Sequence, residues 1–438
     1  MYKHKLIYEA YLDEKNIFIT GPGGTGKTFS IKRIYKHAVE NNKRIAVTAL
    51  TGVASVLLDC NATTLHAWAG IGLCNKTDSQ IIKKIARSKF YRHNWENTDI
   101  LIIDEISMMS CRVFELLNKI GKEIRNNNNP FGGIQIIFSG DFFQLPPVKE
   151  TIFCFESEEF NKCFNDIIYL TKVFRQNDIV FKKLLLNMRI GQITRSSIEL
   201  LKSKVLTDNS EIHNTTNITR LVPTKSKANE LNDYFINKIK DKKYVYKRTV
   251  KETIDKLTKS EKIKLDLMTE DEKETEYNYI KDSTLSEEKL ILKKGAYVMC
   301  IANLDLELGI ANGSTGIIVD FTPEKYPIVQ FDKVKLPVTK KEWKSENVPG
   351  ISVYQVPLIL AWGITIHKAQ GLTLEKAIVD IGKDLFEAGQ MYVALSRLKT
   401  LDGVFLKDFC LDNLKINKKV YDYYKSFETS ETSETSEA

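Results

Sequence analysis

The sequence predicts an α/β fold: two domains, each on a parallel β-sheet, with a small β-barrel inserted in the second. Three observations lead there. Along residues 1–165, short apolar runs rich in Ile, Val and Phe alternate with helical segments. A second series of such runs begins at 166 and ends near 427. Between its two halves, residues 240–350 change character, first to a charged stretch and then to short strands with turns.

In the first series, NIFIT (16–20) reads as a strand, followed by a Gly-rich turn and the helix FSIKRIYKHAVENN (29–42). RIAVTAL (44–50), DILIIDE (99–105) and GGIQIIFSGD (132–141) supply three more strands. Strands of this length separated by helices require crossover connections, and so a parallel sheet. The second domain is expected over 166–239 and 351–427, from IIYLTKVFRQ, TRLVPTKSKANELNDYFINKI, VPLILAWGITIHKAQG, AIVDIG and MYVALSRLKTLDGVFL. Residues 240–290, dense in Lys, Glu and Asp, read as a mobile or solvent-facing insertion. KKGAYVMCIAN, NGSTGIIVDF and PIVQFDKVKL (293–336) read as the strands of the barrel. The repeat ETSETSETSEA (428–438) is expected to be disordered.

Composition sets only broad bounds. Of 438 residues, 43% are hydrophobic and 27% charged, which suits a globular chain. A net charge of +8 is compatible with a polyanionic partner without requiring one. The seven cysteines have no pairing or metal-ligand spacing, so free thiols in a reducing, intracellular setting are expected. The N-terminus carries no signal or transit pattern, and no apolar run reaches the roughly 18 residues that span a bilayer. No membrane partner is expected.

Chemistry enters at Gly21, Pro22, Gly23, Gly24, Thr25, Gly26, Lys27 and Thr28. This G-x-x-x-x-G-K-T run follows a strand and opens a helix, the context of a phosphate-binding loop. Glycines let backbone N–H groups turn toward phosphates, and the helix N-terminus adds positive potential. Lys27 would reach the β- and γ-phosphates of ATP, and the Thr28 hydroxyl would bear on Mg²⁺. A second strand delivers Asp104 and Glu105 to the same edge of the sheet. Asp104 suits the Mg²⁺ shell, and Glu105 suits activation of the attacking water. Gln144, just past the fourth strand, is placed to sense the γ-phosphate. The alternatives are a coincidental glycine turn, a surface acidic pair and a turn closed by Pro146 and Pro147. Each explains one run and not the set.

The set resembles superfamily-one helicases, and within them the Pif (petite integration frequency) family, relatives of the RecD-like helicases. The resemblance rests on GPGGTGKT (21–28), VTALTGVAS (47–55), TTLHAWAGIG (63–72), IIDEISMMS (102–110), FSGDFFQLPPV (138–148) and LTKVFRQ (170–176). It continues through NLDLELGIANGSTGIIV (303–319), WGITIHKAQGLTL (362–374) and MYVALSRLKTLDGV (391–404). It implies two RecA-like domains and an ATP-dependent 5′-to-3′ DNA helicase, acting on single-stranded DNA and duplex junctions as a monomeric motor. Arg175 and Arg397 would reach across an interdomain cleft to the γ-phosphate, and Gln370 and Gly371 would couple closure to DNA. Thr48, Thr51, Gly52, His66, His367, Lys368 and Thr373 stand where the family holds the DNA backbone. Trp68 reads equally as a base-stacking platform or as an aromatic packed under a loop. The segment KHKLIYEAYLDEK (3–15) lacks the glutamine with which family members read adenine, so base selectivity stays open. Competing readings are an RNA track, a nucleotide-switched binding module without unwinding, and an oligomeric loader-type ATPase.

Overall fold

The structure is a computed structural model, and it describes residues 2–434 apart from 59, 73, 75, 148–149, 208–214, 254, 256, 284–285, 306 and 346–347. Six parallel strands form the first sheet: β1 (Ile17–Thr20), β2 (Ile45–Ala49), β3 (Thr63–Thr64), β4 (Ile100–Asp104), β5 (Gln135–Gly140) and β6 (Asp166–Tyr169). Their order is β3-β2-β4-β5-β1-β6. Side chains alternate across the strands, and this sets two cores. Ile17, Ile19, Ile100, Ile102 and Ile137 pack with Ile31, Ile34 and Ala38 of the helix Lys27–Glu40. Phe18, Leu101, Ile103, Ile136 and Phe138 pack on the other face with the helix Cys111–Ile124. Buried on both sides, these strands carry the continuous apolar runs legible in the sequence.

Further strands follow in chain order: β7 (Thr219–Val222), β8 (Tyr244–Lys247), β9 (Thr249–Glu252), β10 (Lys289–Leu292), β11 (Tyr297–Cys300), β12 (Thr315–Phe321), β13 (Pro327–Phe331) and β14 (Val334–Pro337). The last are β15 (Lys341–Lys344), β16 (Ile351–Gln355), β17 (Leu358–Leu360), β18 (Gly363–Thr365), β19 (Ala377–Ile381) and β20 (Val404–Phe409). A second parallel sheet has the order β18-β7-β19-β20. An antiparallel sheet, β14-β13-β12-β11-β17, shares its core: Ile318, Val329 and Val298 lie in one cluster with Leu221, Val379 and Val404.

Four expectations are corrected here. The inserted strands make an open sheet with β14 and β17 at its edges, and no closed barrel occurs among the described residues. β6, expected to begin the second domain, pairs with β1 and completes the first sheet. The 240–290 stretch, expected to be mobile or solvent-facing, is mostly exposed, but its described residues form strands and helices in place of a loose segment. β8 pairs with β10 and β9 with β16, while the helices Lys259–Asp266 and Glu270–Ser283 flank Met268, which is buried in the cluster that holds Val348, Trp68 and Ile82. The last helix, Lys418–Glu434, carries the Glu-Thr-Ser repeat in helical form up to 434, whereas 435–438 lie outside the described residues.

That last helix also returns to the first domain. Val420 and Tyr424 are buried in the cluster of Phe142 and Phe143, and Tyr424 stacks on Phe143 at 5.0 Å. The Tyr424 hydroxyl lies 2.5 Å from Thr20 Oγ1 and accepts from the Phe142 N–H at 3.2 Å. It therefore ties the ends of β1 and β5 together. Tyr424→Phe should cost about 1–3 kcal/mol of stability, because a buried hydroxyl and a buried N–H lose their partner. Denaturant unfolding monitored by fluorescence would check this, and an unchanged midpoint would contradict it.

Candidate active site

The glycine-rich loop leaves β1 and turns into the helix Lys27–Glu40. Its turn needs backbone torsions open to glycine. Gly24 has φ +80°, and a Cβ there would fall 2.6 Å from the Cβ of Arg175. Lys27 Nζ donates to the Gly21 carbonyl at 2.7 Å and to the Pro22 carbonyl at 3.1 Å, while Thr25 Oγ1 donates to the Pro22 carbonyl at 2.9 Å. Burial lowers the Lys27 pKa, and the charges of Asp141, Glu105 and Asp104 oppose that shift.

A cleft of about 1120 Å³ opens over this loop. Glu105, Gln144, Arg175, Gly371, Thr373 and Arg397 line it together with Gly23–Thr28. Burial, then the Glu105 charge, raises the Asp104 pKa to about 6. Glu105 occupies the left-handed region at φ 56°, unusual for a side chain with a Cβ, and its Oε2 accepts from Gln370 Nε2 at 2.8 Å. Gln144 is buried, and its Oε1 has no hydrogen-bond partner. Such a lone acceptor facing a cleft is open to a water or a ligand donor.

Both arginines meet the loop. The position a Gly23 Cβ would take lies 3.4 Å from Arg397 Nη2 and 3.5 Å from Arg175 Nη1. Arg175 Nη1 donates to the Ser396 carbonyl at 3.1 Å; Arg397 Nη2 donates to Ser396 Oγ at 2.7 Å and Nε to the Val393 carbonyl at 3.0 Å. Burial, then the Arg175 charge, pulls the Arg397 pKa down to about 9, which leaves it a cation at neutral pH. Two guanidiniums held this close invite an anion between them.

Sequence reasoning missed two parts. The Tyr392 hydroxyl accepts from the Gly23 N–H at 3.0 Å, so the helix Gln390–Leu395 touches the phosphate loop directly. Burial pushes the Tyr392 pKa up to about 12. The second is an ion pair: Arg189 Nη2 to Asp141 Oδ1 at 2.7 Å, with Nε to Oδ2 at 2.9 Å, both side chains buried. Arg189 also donates to the Tyr169 hydroxyl at 2.9 Å and lies over the Phe143 ring at 4.4 Å. Asp141 and Tyr392 sit inside motifs that drew notice for their neighbours; Arg189 had no local signal, being one more basic residue on an amphipathic helix.

The residues expected along a DNA backbone fare unevenly. Thr48 is fully buried and donates to the Ile102 carbonyl at 2.8 Å, so it braces β2 against β4 and presents nothing to a strand. Thr51 accepts from the Ala54 N–H at 3.2 Å, starting the helix Gly52–Leu58, and Gly52 is partly exposed. His66 and His367 are half-buried, each with a pKa lowered by burial, and His367 stacks on Phe386 at 6.3 Å. Lys368 is exposed. Thr373 lines the cleft of the phosphate loop instead of a separate groove. Trp68 is core, packed on Trp95 at 4.7 Å, which excludes it as a stacking platform in this conformation. Gly371, at φ +82°, sits where a Cβ would meet Leu57 Cδ1 at 2.5 Å, so it abuts the Thr51-capped helix.

Magnesium fits this donor set. It accepts one or two carboxylates with phosphate oxygens and water in preference to an all-protein cage. Asp104 is an acid raised first by burial and then by the charge of Glu105, and no cluster of three His, Cys, Asp or Glu able to hold a metal occurs among the described residues.

Residues 4–199 match the family described as PIF1-like helicase, and 277–321 match the DNA helicase Pif1 2B domain. The Pif1 helicase from Candida albicans is 32% identical and superposes with a TM-score of 0.75 over 97% of this chain and 98% of that one. The chain belongs to the PIF1-like helicase family. The Bacteroides Pif1 complex with ADP-AlF3 and single-stranded DNA is 27% identical, with a TM-score of 0.63 over 98% of this chain and 96% of that chain. The ATP-dependent DNA helicase PIF1 of Danio rerio is 36% identical over 96% of this chain, which spans 62% of that relative's length.

Removing one partner of the buried pair tests its role in joining the elements of this family member. Asp141→Asn should cost about 3–5 kcal/mol by leaving Arg189 charged and unpaired, and adding Arg189→Met should restore much of it. Denaturant unfolding of the single and double variants checks this; a double variant no more stable than the single would contradict it.

Proposed function

We propose that this chain is an ATP-driven motor that moves 5′ to 3′ along single-stranded DNA and separates duplexes at junctions. The observation that carries the reading is the supply of the site from both sides of one cleft. Lys27, Thr28, Asp104 and Glu105 come from the first sheet, whereas Gln370 and Arg397 come from elements around the second. Groups divided this way assemble only when the cleft is closed, so occupancy by a triphosphate is linked to a domain movement. Family membership supports DNA as the track and is in keeping with the 5′-to-3′ polarity.

In this mechanism Lys27 and the loop N–H groups bind the β- and γ-phosphates, while Thr28 and Asp104 would hold Mg²⁺, which offsets phosphate charge when bound. Glu105, held by Gln370, orients a water and takes its proton. The unpaired Gln144 Oε1 helps to place that water. Arg175 and Arg397 stabilise charge spreading over the transferred phosphoryl group. Gln370 links Glu105 to the segment 367–373, and Gly371 leans on the Gly52–Leu58 helix, so hydrolysis and the grip of Thr51, Gly52, His66, His367 and Lys368 on a strand share one set of contacts. Both arginines come from this chain, which supports a monomer as the working unit.

ATP hydrolysis with and without single-stranded DNA, beside unwinding of duplexes with a 5′ or a 3′ tail, tests the whole. DNA stimulation and unwinding from the 5′ tail alone are expected; unwinding from the 3′ tail reverses the polarity, and absence of stimulation removes the DNA track. Lys27→Ala and Glu105→Gln should each lower turnover by at least about 100-fold, with nucleotide binding retained in Glu105→Gln. Because a cation and a proton compete for Asp104, the Mg²⁺ concentration for half-maximal turnover should climb as pH falls through about 6. A flat Mg²⁺ requirement between pH 5 and 7.5 would remove Asp104 from that role.

A further inference from the structure

The end of the cleft farthest from Glu105 has its own chemistry. It is lined by Tyr2, His4, Lys5, Phe29, Arg33 and Phe174. Phe29 is 63% exposed and Phe174 49%, although both are fully apolar. His4 stands between them, edge-on to Phe29 at 5.9 Å and tilted to Phe174 at 6.2 Å. The slot is fixed to the phosphate loop from both sides: the Phe174 N–H donates to the Gly24 carbonyl at 2.8 Å, and His4 Nδ1 lies 2.8 Å from Ser30 Oγ. With phosphates on the loop and the γ-phosphate toward Glu105 and the arginines, a nucleotide's base falls in this slot.

What the slot lacks, among the described residues, is a carboxylate or amide side chain to accept from adenine. Adenine is told from guanine by its exocyclic amine, which must donate, whereas guanine offers O6, which must accept. The side chains at this end are two phenyl rings, two cations, an imidazole turned toward Ser30 and the Thr25 backbone, and the outlying Tyr2 phenol. Among the described residues no carboxylate or amide side chain lines it, apart from Gln144 and Glu105 beside the catalytic groups. Ring faces hold any base, since every base has a π-face. Lys5 and Arg33 can donate to the carbonyls of guanine, cytosine and uracil as readily as to an adenine ring nitrogen.

We infer that Phe29, Phe174 and His4 form a base subsite that grips by stacking and does not select adenine, so that this motor accepts guanosine, cytidine and uridine triphosphates alongside ATP. The inference rests on the phosphate loop being the nucleotide site, as in the function proposed above. Sites that read a base through hydrogen bonds reject the analogue lacking them by about 10⁴-fold, whereas stacking is open to every base.

The test is calorimetric titration of the full chain with ADP, GDP, CDP and UDP, beside DNA-stimulated turnover of the four triphosphates. ADP and GDP should bind within about tenfold of each other; ADP binding more than about tenfold tighter overturns the inference. Phe29→Leu and Phe174→Leu, at exposed positions where folding is not at stake, should weaken all four nucleotides by similar factors of about threefold or more. Loss confined to ADP overturns it, as does no loss in either variant. Binding of all four without DNA-stimulated hydrolysis would uphold the subsite and refute the motor.

Discussion

The buried pair between Asp141 and Arg189 is the contact on which the site depends. Asp141 follows β5, at the carboxyl edge of the first sheet, and Arg189 ends the helix Ile179–Arg189 that begins the packing of the second. A carboxylate and a guanidinium deprived of water must find each other or pay several kcal/mol. Here they meet through two-pronged hydrogen bonds under the rings of Phe143 and Tyr424, which dry the pair further. Two further contacts join the same parts of the chain: Tyr392 reaches Gly23, and Gln370 reaches Glu105.

Around this joint the remaining charges are left incompletely balanced. Lys27 has its pKa lowered by burial, Asp104 is raised to about 6, and Arg397 is lowered to about 9 with Arg175 beside it. Each of these shifts is the cost of holding a charge in a dry cleft before its counterpart arrives. In the proposed function a triphosphate with a divalent cation would supply both signs: anion between loop and arginines, cation beside Asp104. The same preorganisation that costs desolvation is what would stabilise charge moving during phosphoryl transfer. The left-handed backbone at Glu105 belongs to this pattern, since the strained torsion lies at the residue whose Oε2 accepts from Gln370.

Much of this was legible from residue order. The strands β1, β2, β4 and β5 fall within apolar runs whose ends carry Gly21, Asp104 and Asp141, because a strand buried on both faces has no choice but to be apolar and its carboxyl end must carry the function. The strands at the margins were harder. β6 alternates no better than its neighbours, and only its pairing with β1 shows which sheet it serves. The helix Lys418–Glu434 is separated from Thr20 by some 400 residues of chain, so nothing local could place Tyr424 over β1. The order within the mostly exposed 240–290 stretch was not legible, because its few apolar side chains, Met268 among them, bury with Val348 and Ile351 from a distant segment.

The sequence by itself determined the phosphate loop, the acidic strand end and the parallel-sheet class, since each is a local pattern with one physical use, whereas the two arginines were legible only through the family resemblance. Tertiary structure alone decided which of those side chains meet. It set Tyr392 on Gly23, Gln370 on Glu105 and Arg189 on Asp141, and it turned Thr48 and Trp68 inward, away from any strand. The reason is that a residue's type states what it can donate, accept or bury, while its partner is chosen by packing between segments that lie hundreds of residues apart.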